Sequence, residues 1–372
     1  MKYCKRCVLP DTRPNLVIES DGVCNACHSH ETKPAIDWAL RGAQFAAVVG
    51  HAKSKGRGYD CLVPVSGGKD STWQIVKCLE HDLNPLAVTW KTPARTGIGQ
   101  KNLDNLIKLG VDHIDYQINP KVEATFMLRA FEKFGSTAIP MHLALFNIPL
   151  TIAVRFGIPL VVWGENSAFE YGGAGEERTG FRLDSSWLKR FGVTHGTTAA
   201  DWVSKDLPLR ALTPYVGPTD ADLERAGVNA VFLGYYLEWD PETTFRVARE
   251  HGFQSNPEGA KTGYYDFADI DDHFISIHHH LKWYKFGFTR IFDNLSLEIR
   301  NGRITRDAAI DTIRRVGDQT PHSDIRKFCT FASIRESRFF DIAETFRNRD
   351  IWERVNDTWI VRDFLIPDWK WT

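Results

Sequence analysis

One short loop constrains the fold of this chain more than any other feature. Residues 66–71 read Ser-Gly-Gly-Lys-Asp-Ser; they follow the apolar run 59–63 and precede residues 72–79, whose apolar positions share one helix face. A strand, a small-residue loop and a helix in this order form a phosphate cradle, because glycines allow close backbone approach and the helix start adds positive potential. Lys69 can add a point charge. The loop therefore predicts a nucleotide site.

This loop differs from a Walker A loop. That pattern needs Gly five residues before its Gly-Lys pair and Ser or Thr directly after the Lys, whereas this chain has Val63 and Asp70 there. The loop instead resembles the SGGxDS signature of the PP-loop ATP pyrophosphatases, which cleave ATP between its α and β phosphates and adenylate a substrate oxygen. A glycine-rich turn without a ligand is the alternative.

Alternating strand and helix patterns surround the loop. Strand patterns occur at residues 86–90, 112–118 and 159–163, and helix patterns at residues 101–109 and 144–156. Such alternation favours an α/β fold with a doubly wound parallel sheet, here a PP-loop (HUP-like) nucleotide domain over residues 59–200. Ligands gather at the carboxyl ends of such strands. We therefore expect Thr89, Trp90 and Gly164 to contact the nucleotide.

A polar segment follows the strand pattern at 159–163. Glu165, Asn166, Glu170 and Tyr171 lead into the glycine-rich residues 172–177. Polar loops at strand ends often carry binding residues, so we expect these side chains to contact the substrate. An ordinary surface loop is the alternative.

The N-terminal residues predict a metal site. Two Cys-x-x-Cys pairs are separated by sixteen residues; the four cysteines are Cys4, Cys7, Cys24 and Cys27. Two such pairs can close a tetrahedral thiolate shell around Zn²⁺, and a shell filled by protein is typical of structural zinc. Disulfides are the weaker alternative because nothing indicates secretion. His28 and His30 are expected beside the site rather than as ligands.

A basic and aromatic segment lies further along the chain. Lys282 and Lys285 are three residues apart on one predicted helix face, and Arg290 follows soon after. We interpret the three cations as a clamp for a nucleotide diphosphate or a carboxylate. The consecutive histidines 278–280 cannot all reach one ion, because adjacent helical residues point about 100° apart.

Composition and charge narrow the function classes. The chain has 372 residues, with 46 lysines and arginines against 47 aspartates and glutamates, and a net charge of −1. This balance gives no support to nonspecific nucleic-acid binding. We find no run of about 18 apolar residues and no apolar signal region at the N-terminus. We therefore expect a cytoplasmic protein that does not span a membrane.

The predicted domain organisation has five parts. These are a zinc ribbon at 1–31, a helical linker at 32–58, the ATP-binding domain at 59–200, an acceptor-substrate region at 201–316 and an aromatic-rich, mostly helical segment at 317–372. Aromatic density of the last kind is typical of a core or a subunit interface, which leaves a homodimer open.

Several separated segments together resemble the bacterial N-acetyl sugar amidotransferases of lipopolysaccharide O-antigen and pseudaminic or legionaminic acid biosynthesis. The segments are residues 4–14 with the second cysteine pair, 66–71, 163–166 with 170–173, 281–288 and 298–306. The similarity spans residues 3 to about 316. At 287–290 the chain reads Gly-Phe-Thr-Arg where the family commonly has Gly-Phe-Gly-Arg, a difference that bears on which sugar is used.

The resemblance implies a reaction. ATP adenylates the oxygen of an acetamido group on a nucleotide-linked diacetamido sugar, and ammonia then displaces AMP to leave an acetamidino group. Lys69 would offset charge that develops on the phosphates, and Asp70 would orient Mg²⁺ or the loop. Glu165 and Glu170 would position the amide or accept a proton from ammonia. The pyrophosphate would bind Ser66, Gly67, Gly68 and Ser71.

No cysteine of the chain lies in a glutaminase-like context, so the resemblance also implies an external ammonia supply. The supplier would be a separate glutaminase with a barrel partner, similar to the imidazole glycerol phosphate synthase pair. Three alternatives stay open. They are a tRNA-thiolating PP-loop enzyme, a zinc-ribbon scaffold with an inactive nucleotide site, and an enzyme that adenylates a carboxylate.

Overall fold

A computed structural model describes residues 1–171 and 180–371. Its helices are α1 (Asn25–Glu31), α2 (Trp38–Lys55), α3 (Lys69–Glu80), α4 (Gly97–Ile107), α5 (Pro120–Phe134), α6 (Ala138–Phe156), α7 (Ser167–Tyr171), α8 (Ser185–Phe191), α9 (Asp220–Ala226), α10 (Leu233–Tyr236), α11 (Pro241–Glu250), α12 (Ile275–Phe286), α13 (Arg290–Arg300), α14 (Arg306–Val316), α15 (His322–Ala332) and α16 (Glu336–Thr345). Its strands are β1 (Cys61–Pro64), β2 (Pro85–Trp90), β3 (Asp112–Tyr116), β4 (Leu160–Trp163), β5 (Asn229–Phe232), β6 (Trp352–Val355) and β7 (Thr358–Val361).

The first five strands form one parallel sheet in the order β3-β2-β1-β4-β5. Strands β1, β2 and β4 are buried at every position. Successive side chains of β1 enter different cores: Leu62 packs in the cluster of α5 and α6, and Val63 in the cluster of α2, α3 and α4. Helices thus cover both faces of the sheet, which explains the continuous apolar strands. The predicted doubly wound α/β fold is confirmed.

Helix α6 is the most apolar of the helices that cover the sheet. By length and composition alone it could cross a membrane, and half of its most apolar window is buried. Its residues Leu143, Ala144 and Ala153 belong to the same core as Leu62 of β1 and Val161 of β4. Packing against the sheet therefore accounts for the composition of α6.

The fifth strand, β5, is shorter than its apolar pattern and lies outside residues 59–200. The apolar run at 231–236 by itself predicts one more strand. In the structure this strand ends at Phe232, and the next four residues form the short helix α10. Because β5 pairs with β4, the sheet takes a strand from the predicted acceptor region, and the division at residue 200 does not follow the sheet. The apolar run alone did not reveal this change, because four residues are enough for either a buried strand or a helical turn.

The N-terminal and C-terminal segments share a core. The four cysteines of residues 1–31 lie in one buried cluster with Trp283, Phe292, Ile313 and Trp352. The last of these belongs to an antiparallel hairpin, β6–β7, within a segment predicted to be mostly helical. Its two turn residues, Asn356 and Asp357, both have positive φ, as a two-residue type I′ turn requires.

Candidate ATP and acceptor site

The glycine loop between β1 and α3 is held in one shape. Gly67 has a φ of +88°, and a Cβ at this position would lie 2.7 Å from the backbone N of Leu103 in α4. Ser71 Oγ donates to the Gly68 carbonyl at 3.0 Å, and the Gly68 N–H donates to Ser66 Oγ at 3.2 Å. These hydrogen bonds and the close packing of Gly67 against α4 together fix the shape of the loop.

Lys69 and Asp70 form an ion pair at the start of α3. Lys69 Nζ lies 2.6 Å from Asp70 Oδ2, and the Lys69 residue is only 5% exposed. The indole N–H of Trp239 donates to Asp70 Oδ1 at 3.0 Å. Sequence analysis did not assign a role to Trp239. Trp239 lies three residues after α10 and therefore beyond the carboxyl end of β5. Ligand sites of parallel sheets usually form at these strand ends.

A cavity of about 850 Å³ opens at these strand ends, a size typical of small-molecule sites. It brings together most of the predicted site residues: Ser66, Asp70, Ser71, Thr89, Trp90, Gly164, Glu165, Tyr171, Lys282, Lys285 and Arg290. A smaller cavity of about 220 Å³ shares Ser66, Asp70 and Glu165 with it and adds Gly68 and Lys69. The phosphate loop and the predicted cation clamp thus meet in one continuous site.

Three predicted residues do not line either cavity. Gly67 packs against α4. Asn166 accepts a hydrogen bond from Trp187 Nε1 at 3.1 Å and donates to the Gly180 carbonyl at 3.2 Å. Glu170 forms a buried ion pair with Lys33 at 2.8 Å. All three residues contact the surrounding protein instead of the cavities. Residues 172–177 of the predicted loop lie outside the described residues.

Two acidic groups of the cavity, Glu165 and Asp272, have raised pKa values. Burial, with Asp70 adding to it, raises the pKa of Glu165 to about 7. Burial likewise raises the pKa of Asp272 to about 7, although Thr92 Oγ1 donates to its carboxylate at 2.8 Å. Asp269 and Asp271 also line both cavities. Sequence analysis missed these three aspartates, although the acid-rich run 266–272 was a visible signal.

Cations gather around one buried carboxylate, Asp293. Its Oδ1 lies 2.7 Å from Arg13 Nε, and its Oδ2 lies 3.3 Å from Lys282 Nζ and 3.7 Å from Arg290 Nη1. Burial alone would raise the pKa of Asp293, but Lys282, Arg13 and Arg290 hold it well below its usual range. Burial, with Lys282 nearby, lowers the pKa of Lys285 to about 8. We call Arg13, Lys282, Lys285 and Arg290 the cation cluster.

The four N-terminal cysteines fit a zinc ion. Their Sγ atoms all lie within 4.8 Å of one another, with Cys4–Cys27 at 3.9 Å and Cys7–Cys24 at 3.7 Å. Zn–S bonds of about 2.3 Å set sulfur–sulfur edges of about 3.8 Å in a tetrahedron. The backbone N–H groups of Cys7 and Cys24 donate to Cys4 Sγ, as suits a thiolate. Within residues 1–171 and 180–371, no other cysteine, histidine or carboxylate group has such spacing.

Part of the chain is similar to a known protein family. Residues 258–364 match the family model described as "LPS biosynthesis protein WbpG-like, C-terminal domain". This part of the chain is similar to the C-terminal domain of WbpG-like proteins. The match supports the link to lipopolysaccharide biosynthesis that residues 281–288 and 298–306 indicate. The WbpG-like segment contains Lys282, Lys285, Arg290 and Asp293.

Solved structures were compared as well. An NMN synthetase from Francisella tularensis matches with a TM-score of 0.36 and 10% sequence identity, over 75% of this chain and 92% of that chain. No curated protein matches the sequence at a significant level.

Proposed function

We propose that the chain is an ATP-dependent amidotransferase of lipopolysaccharide biosynthesis. Its substrate would be a nucleotide-linked diacetamido sugar, on which an acetamido group becomes an acetamidino group. The observation that carries this proposal is that the phosphate loop at 66–71 and the cations Lys282, Lys285 and Arg290 open into one cavity. Such a cavity can hold a nucleoside triphosphate beside a second anionic substrate.

The loop residues would bind the triphosphate. Helix α3 begins at Lys69, and the free backbone N–H groups of its first turn, together with the helix dipole, would favour a phosphate at this helix start. Lys69 would stabilise the negative charge that develops on the departing pyrophosphate. Thr89 and Trp90, at the end of β2, would contact the adenosine. Mg²⁺ brought with ATP would neutralise phosphate charge, and the carboxylate of Asp70 would hold it.

Activation makes the amide oxygen a leaving group. The oxygen attacks the α-phosphorus of ATP and pyrophosphate departs, which leaves an O-adenylated imidate. Ammonia then attacks the imidate carbon, and AMP departs with the former amide oxygen. Ammonia loses one proton to a base, which leaves the acetamidino group as its cation with NH2+ in place of O. Loss of a second proton gives the neutral acetamidino group, which differs from the acetamido group by NH in place of O.

Glu165 is the base that the geometry favours over Glu170. Its carboxyl lines both cavities, and its pKa of about 7 suits a group that accepts a proton near neutral pH. Glu170, in contrast, is neutralised by Lys33 at 2.8 Å and lies outside the cavity lining. We therefore assign proton transfer to Glu165 and a structural role to Glu170.

Ammonia would come from another protein. Cys61, Cys78 and Cys329 are buried, and neither they nor the four cysteines of the predicted zinc site line the two cavities. A glutaminase needs a nucleophile within reach of its substrate. We assign the ammonia supply to a separate glutaminase with a barrel partner, as the family resemblance implies.

The test uses purified protein, ATP with Mg²⁺, an ammonium salt and a panel of UDP- and CMP-linked diacetamido sugars. AMP, pyrophosphate and the sugar mass are followed together. We expect AMP, pyrophosphate and amidinated sugar in equal amounts from one member of the panel. AMP formation with tRNA or with a carboxylate substrate, and no change in any sugar, would contradict the proposed reaction while leaving ATP use intact.

A further inference from the structure

We propose that Arg13, from the zinc-binding segment, binds an oxyanion of the acceptor substrate. The zinc site would then position a substrate-binding residue as well as stabilise the fold. This inference rests on the proposed function only in calling the ligand an acceptor, because binding of an oxyanion can be measured without turnover.

Arg13 reaches the cavity from outside the nucleotide domain. Together with Pro14 and Asn15 it lines the cavity that contains Asp70 and Lys282. Its Nε pairs with Asp293, its Nη1 donates to the Pro14 carbonyl at 3.2 Å, and its side chain is 14% exposed. Its Nη2 has no hydrogen-bond partner within the described part of the chain. One end of the guanidinium is therefore fixed and the other can receive a ligand.

Among the described residues, positive charge exceeds negative charge in this corner of the cavity. The cation cluster supplies four positive groups, whereas Asp293 and Asp269 are the carboxylates that pair with it. Lys285 has no carboxylate partner among the described residues; its Nζ lies over the ring of the adjacent Phe286. Partly buried cations without partners are costly. An anionic ligand that contacts Arg13 and Lys285 would remove that cost.

The segment that carries Arg13 is held by hydrogen bonds on both sides of this residue. Thr12 Oγ1 donates to the carbonyl of Phe286, the last residue of α12, at 2.6 Å. The side chain of Asn25, which lies between Cys24 and Cys27, donates to the Asn15 carbonyl at 3.1 Å. Helix α12 thus holds Thr12, which precedes Arg13, and the metal-binding turn holds Asn15, two residues after it. This arrangement links the zinc site to the position of the guanidinium.

Two groups of an acceptor could supply the oxyanion. One is the phosphate or diphosphate of the nucleotide carrier, and the other is a sugar carboxylate. Both offer oxygen pairs that a guanidinium can bind in a bidentate way. The shared chemistry is an oxyanion held by Arg13 and Lys285, and binding measurements can separate the two sources.

The experiment measures the dissociation constants of UDP, N-acetylneuraminate and ATP by calorimetry for the full-length zinc-loaded protein. We expect Arg13→Gln to weaken UDP or N-acetylneuraminate about tenfold or more, because a charged hydrogen bond is lost, with ATP binding and zinc content unchanged. The probe whose binding is weakened shows whether the oxyanion comes from the nucleotide carrier or from a sugar carboxylate. Arg6→Gln is the matched control, because Arg6 lies in the same segment and pairs with the exposed Glu31. Equal binding by Arg13→Gln and Arg6→Gln, or no binding of either probe to the unsubstituted protein, would overturn the inference.

A double-mutant cycle separates ligand contact from neutralisation of Asp293. If Arg13 serves only to neutralise Asp293, the double variant R13Q/D293N should bind the responsive probe no more weakly than Asp293→Asn alone. If Arg13 contacts the ligand, the double variant should stay about tenfold weaker than Asp293→Asn. The second result supports the inference and the first refutes it. Neither result depends on amidination, so a failure of the proposed reaction would be seen separately in the turnover assay.

Discussion

The two glycines of the phosphate loop should respond very differently to the same substitution. Gly67→Ala places a Cβ 2.7 Å from the Leu103 N and 2.9 Å from its Cα, at a φ of +88°. Left-handed strain costs about 1–2 kcal/mol and overpacking about 1–3 kcal/mol, so we expect a loss near 3 kcal/mol of unfolding free energy. Gly68 has an ordinary φ of −69°, and a Cβ there would meet only the Ser66 hydroxyl, at 3.2 Å. Gly68→Ala should therefore cost less than about 1 kcal/mol.

For ATP binding, in contrast to stability, the substitution at Gly68 should have the larger effect. Gly68 lines the smaller cavity beside Lys69, where an added methyl group would stand between the backbone and a phosphate. Denaturant unfolding measures stability, and calorimetry with ATP measures binding, for both variants. We expect Gly68→Ala to be stable but weak in ATP binding, and Gly67→Ala to be destabilised. A Gly67→Ala protein within about 0.5 kcal/mol of the parent would refute the packing argument.

Other predictions concern the metal and the reacting groups. Cys24→Ser should lose zinc and several kcal/mol of stability, whereas Cys329→Ser should keep its zinc; full zinc content in both would contradict the site. Lys69→Ala should lower amidination about a hundredfold or more, while Lys77→Ala on the same helix keeps it; equal rates would remove Lys69 from the mechanism. Since burial raises the pKa of Glu165 to about 7, its carboxylate is lost as pH falls through that value, so amidination at fixed free ammonia should decline below about pH 7. Glu165→Gln should be slow and lack this decline, and an unchanged pH profile would exclude Glu165 as the base.

The sequence was sufficient to predict those parts of the site whose residues lie close together along the chain. The loop at 66–71 lies where a strand pattern meets a helix pattern, so its position at the edge of a parallel sheet followed directly. Lys282, Lys285 and Arg290 were predicted as a clamp from their spacing on a helix, and the structure brings them into the cavity with the loop. In both cases a few neighbouring residues decide the geometry.

Residues contributed by distant segments could not be predicted in this way. Arg13 meets Asp293 across 280 positions of sequence, and Trp239 meets Asp70 across 169. Such contacts depend on how distant segments pack against one another. The hydrophobic periodicity of a single segment carries no information about that packing. Glu170 shows the opposite case. Its place after a strand predicts a catalytic role, whereas its side chain pairs with Lys33 away from the cavities.

The most direct test of the proposed reaction follows the amide oxygen. A nucleotide-linked diacetamido sugar with a heavy oxygen isotope in the acetamido group is converted with ATP and ammonium, and the masses of AMP and pyrophosphate are measured. Adenylation of the amide oxygen predicts that the heavy oxygen appears in AMP, at one atom for each sugar amidinated. Heavy oxygen in water or pyrophosphate, with unlabelled AMP, would contradict the account.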